Sequence, residues 1–364
     1  MTTFAYELAS VLSAQQRAKP GDSAGPYALP WYLVIGEPGS GRSSAIRAIN
    51  LSWPYGDGPL DLGVPGPLCT YWMPEKAVFI EPEQIVLGPT RDQAMLRDLC
   101  AELQEKRPRE PIDGIVMVLS AITLADIDER DEHEVERLAR TLRTYVSEIY
   151  AYLRTEVPIY VVVTAYDTLW GFGDAFQWNL ARKDEEPFGF TLPVDLAATD
   201  AKQRIADELE GLRARMESVC FDKLSREDPP DARARAFQHL AEMRSLLQKL
   251  GQVLALLTTV NAFERTPWVR ALVLGSAVPG TGDRLRHLAA EFSQMGLFAP
   301  AQSRTPQPGG LPMHGLLESV LMPEREIVPL RARWRDDGLF IVLAILTILL
   351  WLGAGITALL FALL

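Results

Sequence analysis

The chain has 364 residues, of which 48% are hydrophobic, and its formal net charge at pH 7 is -11. That length and apolar content allow two or three folded units and exclude a chain that is disordered throughout. The acidic balance argues against nucleic acid as a partner, because binding to phosphates needs a basic face. Three widely spaced cysteines and four isolated histidines favour a reduced compartment and argue against a zinc site.

The first predicted elements are a helix, a strand, a glycine-rich loop and a second helix. Residues 1–28 predict an N-terminal helix and an arm, and WYLVIG has the aromatic and β-branched content of a buried strand. GEPGSGRSSA, which begins at Gly36, follows this strand directly and has the spacing of the phosphate-binding loop G-x-x-x-x-G-K-[ST]. Arg42 stands where that loop has lysine, so the stretch is a phosphate loop altered at one position.

In a phosphate loop, backbone N–H groups surround the β-phosphate, a lysine reaches the β- and γ-phosphates, and a hydroxyl binds magnesium. The candidate nucleotide-binding residues are Gly36, Gly39, Ser40, Gly41, Arg42, Ser43 and Ser44. A guanidinium keeps the positive charge of lysine, but it is larger and planar, with its donors in a fixed fork. We therefore expect weak phosphate affinity to survive without the geometry that supports phosphoryl transfer.

The segments LCTYWM and AVFIEPEQIVL predict a β-hairpin whose second strand carries residues 81–84. In nucleotide hydrolases a carboxylate at the end of a neighbouring strand holds the magnesium ion, often before a glycine that contacts the γ-phosphate. Glu81 is the candidate for this Walker B-like position, and together with Ser43 it forms the candidate magnesium site. Pro82 removes a backbone donor, and Gln84 stands where the glycine is needed.

IDGIVMVLSA and VPIYVVVTAYD predict two further buried strands with a long helix between them. The second strand ends in TAYD, where a guanine-specific enzyme would have [NT]-K-x-D. Thr164 and Asp167 are therefore candidate base-recognition residues, and Ala165 replaces the lysine. Apolar strands alternating with helices predict a P-loop NTPase-like α/β domain over residues 29–200, with a doubly wound, mostly parallel sheet.

Residues 201–298 predict a helical subdomain with one returning strand, and residues 299–337 predict a linker, a short helix and a basic juxtamembrane flank. Residues 338–364 predict one C-terminal transmembrane helix, because the 26 residues from Leu339 onward carry no charge. At 1.5 Å per residue such a helix is about 39 Å long, enough to cross a hydrocarbon core of about 30 Å. Four arginines between residues 325 and 335 place the preceding part of the chain in the cytoplasm by the positive-inside rule.

The order of these motifs resembles the cytoplasmic domain of the TssM/IcmF family, the inner-membrane component of type VI secretion systems. The matching segments, from about residue 29 to residue 324, are LPWYLVIGEPGSGRSSAI, TYWMPEKAVFIEPEQ, IDGIVMVLS, VPIYVVVTAYDTLWGF, FGFTLP, VRALVLGSAVPGTGDRL and LESVLMPE. The chain departs from the family pattern at Arg42, at residues 81–84, which replace D-T-A-G, and at Ala165. Members usually have two transmembrane helices before this domain and a periplasmic region after a third. The resemblance implies a short, divergent, single-pass member in the bacterial inner membrane, with the bulk of the chain in the cytoplasm.

Two classes of function follow. The first is a structural component, in which a membrane-tethered, degenerate nucleotide-binding domain docks membrane-complex and baseplate proteins of type VI secretion. Homo-oligomers are a further expectation, nucleic acid is not expected, and no catalytic residue is assigned. The acidic helix at residues 126–136 is a candidate docking face, against the simpler interpretation of a solvated helix face.

The second class is a magnesium-dependent protein that binds or slowly hydrolyses ATP or GTP and so energises or gates secretion. Here Arg42 takes the role of lysine, while Ser43 and Glu81 hold the metal ion. A GTPase-like switch is a third interpretation, with Thr70 as the candidate switch threonine. No cofactor follows with certainty, because ATP or GTP with magnesium is required only by the second and third interpretations.

Overall fold

The computed structural model describes residues 3–18, 25–49, 68–74, 76–127, 132–176, 188–225, 229–276, 295–296, 316–325, 327 and 347. The strands are β1 Trp31–Gly36, β2 Cys69–Trp72, β3 Val78–Pro82, β4 Gly114–Ser120, β5 Ile159–Thr164, β6 Gly189–Thr191 and β7 Val269–Leu274. The helices are α1 Thr3–Ala18, α2 Arg42–Ala48, α3 Gln93–Lys106, α4 Ala121–Asp126, α5 Glu132–Leu153, α6 Phe172–Phe176, α7 Ala198–Leu224 and α8 Pro230–Leu257. Short helical turns lie at Gly25–Tyr27, Tyr166–Thr168 and Leu316–Leu321.

The described strands form one sheet in the order β2-β3-β1-β4-β5-β7-β6. β1 pairs in parallel with β3 and β4, and β5 pairs in parallel with β4 and β7. The edge strands β2 and β6 run antiparallel to their neighbours. The predicted α/β class with a mostly parallel sheet is confirmed, and so is the predicted β2–β3 hairpin. Because parallel strands end at the same edge, the carboxyl ends of β1, β3, β4 and β5 lie along one side of the sheet.

The central strands are buried on both faces. Every residue of β1, β4, β5 and β7 is buried, as expected for parallel strands covered on each side. Since successive side chains point to opposite faces, Leu33 and Ile35 pack with α1, α3, α5 and α8, whereas Tyr32 and Val34 pack with α2 and the turn at Leu316–Leu321. Each fully buried aliphatic side chain contributes about 1.5–3 kcal/mol through the hydrophobic effect, so these strands anchor the fold.

The long helices α7 and α8 pack against each other, and α8 also contacts α4, α5 and α6 beside the sheet. The chain then returns through β7, which lies between β5 and β6. The predicted returning strand is therefore present, and it belongs to the same sheet as β1. The boundary between a first domain at residues 29–200 and a helical subdomain at residues 201–298 stays a prediction.

The strand predicted over AVFIEPEQIVL is shorter than expected. It ends at Pro82, because the chain turns at residues 84–90. In this turn the amides of Val86 and Leu87 donate to the carbonyl of Glu83 instead of pairing with a neighbouring strand. The strand end therefore falls directly after Glu81, at the level of the phosphate loop.

Among the described residues, none of the helices is both long and apolar enough to cross a membrane. The predicted transmembrane helix at residues 338–364 lies outside the described part of the chain, except for residue 347. Residues 277–294 of the predicted helical subdomain, residues 301–315 of the predicted linker and residues 128–131 of the predicted acidic docking helix also lie outside it.

Candidate functional site

The predicted phosphate loop joins the carboxyl end of β1 to the start of α2. Gly39 and Gly41 have φ values of +80° and +82°, a left-handed conformation that glycine adopts easily and other residues avoid. At Gly36 a Cβ atom would lie 2.4 Å from the backbone oxygen of Val118 on β4. The backbone path of the loop and the close approach of β4 therefore require glycine at these positions.

Thr164, at the end of β5, holds the loop from the side of the sheet. Its hydroxyl donates a hydrogen bond to the carbonyl of Ser40 at 2.6 Å and lies 3.1 Å from the carbonyl of Leu119. A Cβ atom on Gly41 would lie only 3.2 Å from the Thr164 hydroxyl oxygen. Ser40 is buried, and its own hydroxyl has no hydrogen-bond partner within the described part of the chain. The loop is thus fixed by β5 with one buried hydroxyl left over.

Asp167, the second candidate base-recognition residue, lies in the turn that follows β5. Its side chain is buried, and its backbone amide donates to the hydroxyl of Ser276 at 3.2 Å. Ala165, which replaces the lysine of the motif, has a left-handed φ of +57°. The structure therefore places Thr164 and Asp167 together at the carboxyl end of β5, and a role for them in recognising a base stays a prediction.

Arg42, the first residue of α2, is bound to the end of β3. Its Nη1 donates to the carbonyl of Pro82 at 2.9 Å, and its Nε lies 3.5 Å from Glu81 Oε1. Only 11% of the Arg42 side chain and 9% of the Glu81 side chain are exposed, so the ion pair is largely removed from solvent. The cation of the loop is therefore engaged by a carboxylate and a carbonyl of this same chain.

Two further donors converge on this carboxylate. Ser43 Oγ lies 3.0 Å from each oxygen of Glu81, and Trp72 Nε1 donates to Oε2 at 3.0 Å. We call Arg42, Ser43, Trp72 and Glu81 the Glu81 cluster. Because hydrogen bonds to ionised groups are roughly twice as strong as neutral ones, the Glu81 cluster ties α2 firmly to the β2–β3 hairpin.

In the Glu81 cluster the two predicted magnesium ligands contact each other and Arg42, and a role for them in holding magnesium stays a prediction. Ser43 and Glu81 lie together, as the sequence predicted, and they offer the oxygen ligands that magnesium prefers. Arg42 already supplies a positive charge beside Glu81, so Glu81 has a cationic partner from this same chain. Within the described residues, no group of three or more His, Cys, Asp or Glu side chains is arranged to hold a metal ion.

Two further residues around the loop are Ser44 and Glu37. Ser44 lies in the first turn of α2 and is half-buried. Burial raises the pKa of the Glu37 carboxyl above its usual value, and the nearby Arg137 of α5 opposes this shift. The loop therefore carries an acidic residue close to an arginine of α5.

Two partners of the predicted site were missed by sequence reasoning: the indole of Trp72 and the carbonyl of Pro82. The β2–β3 register pairs Thr70 with Glu81 and Trp72 with Phe79, which places Trp72 diagonally across from Glu81. A buried indole N–H normally needs an acceptor. That requirement, combined with the hairpin register, is the signal that identifies the contact.

Fold and site together define the class of protein: an α/β domain built on a strand–phosphate loop–helix unit with a substituted loop. A family model, the IcmF-related N-terminal domain, matches residues 89–349. The chain is 28% identical over 291 residues to the type VI secretion system component TssM1 of Pseudomonas aeruginosa, and the match covers 76% of this chain and 26% of that protein. The chain belongs to the TssM/IcmF family, which confirms the predicted resemblance, and it spans about a quarter of the length of this curated relative.

Solved structures with a related arrangement include a GTP-binding protein from Sulfolobus solfataricus in complex with GDP. That protein is 13% identical, with a TM-score of 0.23, and the match covers 44% of this chain and 40% of that chain. A second solved structure is that of a protein named SsGBP with a glycine-to-serine substitution. It is 12% identical, with a TM-score of 0.24, and the match covers 46% of this chain and 48% of that chain. The fold of the chain is defined by the strand order and pairing given above.

Proposed function

We propose that this chain is a membrane-tethered structural component of a type VI secretion membrane complex, with a degenerate nucleotide-binding domain that faces the cytoplasm. Membership of the TssM/IcmF family and the 28% identity to a type VI secretion component support the pathway. The partners that follow from this role are other membrane-complex and baseplate proteins. The observation that carries the degenerate character of the domain is the Glu81 cluster.

The Glu81 cluster opposes nucleotide chemistry for an energetic reason. If Arg42 turned to a phosphate group, Glu81 would lose its cation while remaining buried. Separating the partners of a buried ion pair costs about 3–5 kcal/mol, because a charge is left uncompensated in a poorly solvating environment. Since 1.4 kcal/mol corresponds to a factor of ten, nucleotide affinity would fall by roughly two to four orders of magnitude unless new contacts offset the loss.

A second observation supports a scaffolding role. The segment 316–325, which precedes the basic flank, is bound directly to the sheet. The Tyr32 hydroxyl donates to the carbonyl of Leu321 at 3.0 Å, and the Tyr160 hydroxyl donates to Glu324 Oε2 at 3.0 Å. Arg270 of β7 also forms an ion pair with Glu324. Segment 316–325 is therefore fixed to the sheet, which suits a protein that transmits position or load.

Calorimetric titration of the full chain in detergent with magnesium-ATP and magnesium-GTP tests the proposal. We expect no binding heat at millimolar nucleotide. Arg42→Lys tests whether the arginine is what prevents nucleotide binding, because lysine can reach a phosphate but loses the bond to the Pro82 carbonyl. If wild-type protein shows saturable binding and turnover, the degenerate-domain proposal is wrong.

The alternative is a magnesium-dependent protein that binds or slowly hydrolyses ATP or GTP. The observation in its favour is the loop backbone, whose left-handed Gly39 and Gly41 are held in place by Thr164. This alternative predicts that Glu81→Gln abolishes turnover and spares binding, whereas the scaffold proposal predicts no turnover to abolish.

A further inference from the structure

The segment 316–325 ends beside the starts of the parallel strands. Arg325 donates to the carbonyls of Tyr27 and Ala28, which lie just before β1. Because β1, β4, β5 and β7 are parallel neighbours, their starts lie along one side of the sheet. We call this side the amino edge, and the phosphate loop lies on the opposite side.

The amino edge is also the part of the domain from which the chain continues toward the predicted membrane helix. That helix is predicted to begin at residue 338, so residues 326–337 connect it to Arg325. An extended chain covers at most about 3.6 Å per residue, which limits this connection to about 40 Å. A bilayer that holds the helix is therefore within reach of the amino edge.

Three arginines surround Tyr27 at the amino edge. The guanidinium of Arg107 lies 5.1 Å from the centre of the Tyr27 ring, and the amide of Arg109 donates to its hydroxyl at 3.0 Å. Arg325 binds its carbonyl. Arg107 is buried and pairs with Asp113 at 3.0 Å, so its charge is used within the fold. The side chain of Arg109, by contrast, is exposed and pairs with no carboxylate among the described residues.

The end of α1 brings a further arginine to the amino edge. Gln15 donates to the carbonyl of Gly25 and accepts from the indole of Trp31, both at 3.1 Å. These contacts fix the last turn of α1 beside the start of β1. Arg17, in the same turn, is exposed, and its Nε donates to the carbonyl of Ser13 in its own helix. In the part of the chain that the structure describes, it pairs with no carboxylate.

Acidic groups at the amino edge do not offset these two arginines. Burial and the neighbouring Asp113 raise the pKa of the Glu110 carboxyl to about 7, so this group carries only part of its charge near neutral pH. The other carboxylates described at this edge are held in the ion pairs Lys106–Glu105, Arg107–Asp113, Arg265–Glu156 and Arg270–Glu324. The surplus charge here is therefore positive, although the whole chain has a net charge of -11.

We propose that the amino edge docks through Arg17 and Arg109 on the anionic phospholipid surface of the membrane, so that the phosphate loop points away from the bilayer. This inference rests on the membrane tether of the proposed function and adds the side of the domain that meets the lipid. Each arginine close to an anionic leaflet strengthens binding about fivefold, which corresponds to about 1 kcal/mol. So weak a site is occupied because the tether keeps the edge at a high local concentration beside the lipid.

Fluorescence quenching of the full chain in nanodiscs measures which edge meets the lipid. The discs contain equal amounts of phosphatidylcholine and phosphatidylglycerol, with a small proportion of lipid that carries a nitroxide quencher on its headgroup. The three native cysteines are buried, so Pro108→Cys introduces one exposed thiol for a fluorophore next to Arg109. Gln84→Cys is the control, because Gln84 is exposed in the turn after β3, on the side of the phosphate loop. We expect stronger quenching at position 108 than at position 84.

Charge variants test the role of the two arginines. Arg17→Gln with Arg109→Gln should lower the ratio of docked to undocked domain about thirtyfold, or about 2 kcal/mol, so quenching at position 108 should fall toward that at position 84. Arg137→Gln with Arg233→Gln is the matched control. It removes the same charge from two exposed positions, one near Glu37 of the phosphate loop and one in the first turn of α8. This control should leave the quenching unchanged.

Elution of the protein together with the discs in size-exclusion chromatography reports the tether separately from docking. If the protein does not elute with the discs, the membrane tether is wrong and the docking proposal fails with it. If it elutes with them but position 108 is quenched no more than position 84, the docking proposal alone is overturned. Unchanged quenching in the Arg17→Gln, Arg109→Gln variant would also overturn it.

Discussion

The hydroxyl of Ser43 lies 3.0 Å from both carboxylate oxygens of Glu81, and the guanidinium of Arg42 provides the positive charge for that carboxylate. The two residues that best resemble magnesium ligands are therefore joined to each other and to the residue that stands in place of the phosphate-binding lysine. This arrangement stabilises the contact between α2 and the β2–β3 hairpin. It also explains how a chain can keep a phosphate loop for structural reasons.

The first prediction concerns the stability of the Glu81 cluster. Glu81→Gln leaves Arg42 buried without its counter-charge and should lower the free energy of unfolding by about 3 kcal/mol. Glu83→Gln is the matched control, because Glu83 is exposed on the same hairpin and should change stability by less than about 0.5 kcal/mol. Denaturant unfolding followed by tryptophan fluorescence measures both. Equal, small effects would show that the Arg42–Glu81 pair contributes little.

The second prediction separates two roles of the loop glycines. Gly39→Ala meets no atom within 4 Å, so it should cost only the left-handed backbone strain of about 1–2 kcal/mol. Gly36→Ala would place its Cβ atom 2.4 Å from the Val118 carbonyl oxygen, and overpacking of this kind costs about 1–3 kcal/mol or more. Thermal unfolding of the two variants should therefore show the larger loss for Gly36→Ala. The opposite order would contradict the close approach of β4 to the loop.

The third prediction tests the link between β5 and the loop. Thr164→Val keeps the shape of the side chain but removes the donor to the Ser40 carbonyl, leaving a buried acceptor unsatisfied at a cost of about 1–3 kcal/mol. Hydrogen exchange should accelerate at loop amides, including that of Ser40, while amides in β7 stay protected. Thr199→Val, at an exposed position at the start of α7, is the control and should change neither quantity.

The fourth prediction is a pH dependence of stability that arises from Glu110. Burial and the neighbouring Asp113 raise the pKa of the Glu110 carboxyl from 4.5 to about 7, against the opposing charges of Arg107 and Arg325. The folded state therefore retains a proton that the unfolded state releases, so stability should fall as pH rises from 4.5 through about 7. Glu110→Gln should remove this dependence. The melting temperature of the variant minus that of wild type should increase from pH 4.5 to about 7 and stay constant at higher pH. A constant difference at all pH values would contradict the assignment.

Much of the fold could be predicted because its signals are local. The strand–loop–helix unit around Gly36, the β2–β3 hairpin and the long helices α7 and α8 are encoded in runs of neighbouring residues. The short helix α4 gave no such signal, because only six residues form it and a single Ser120 hydroxyl caps its start. The position of β7 between β5 and β6 depends on long-range pairing that no local pattern specifies.

The sequence predicted which residues form the candidate site better than it predicted the contacts between them. The sequence placed Ser43 and Glu81 together through the motif, but it did not show that Arg42 binds the Pro82 carbonyl. Thr164 was singled out by resemblance to a base-recognition motif, whereas its hydroxyl is seen to hold the loop. Side-chain partners chosen in three dimensions depend on register and rotamer, and those are set by packing across the whole sheet.

The most direct test of the structural role measures secretion by cells whose protein carries an altered Glu81 cluster. The alteration is chosen so that the cluster cannot support nucleotide chemistry. The double variant Arg42→Met, Glu81→Gln removes both charges, keeps similar side-chain volumes and leaves an acceptor for Trp72, so it should fold normally. In a strain lacking the native gene, we predict that this variant restores secretion of a type VI substrate into the medium to the wild-type level. Loss of secretion despite wild-type amounts of the variant in the membrane fraction would contradict the structural role and favour a nucleotide-dependent one.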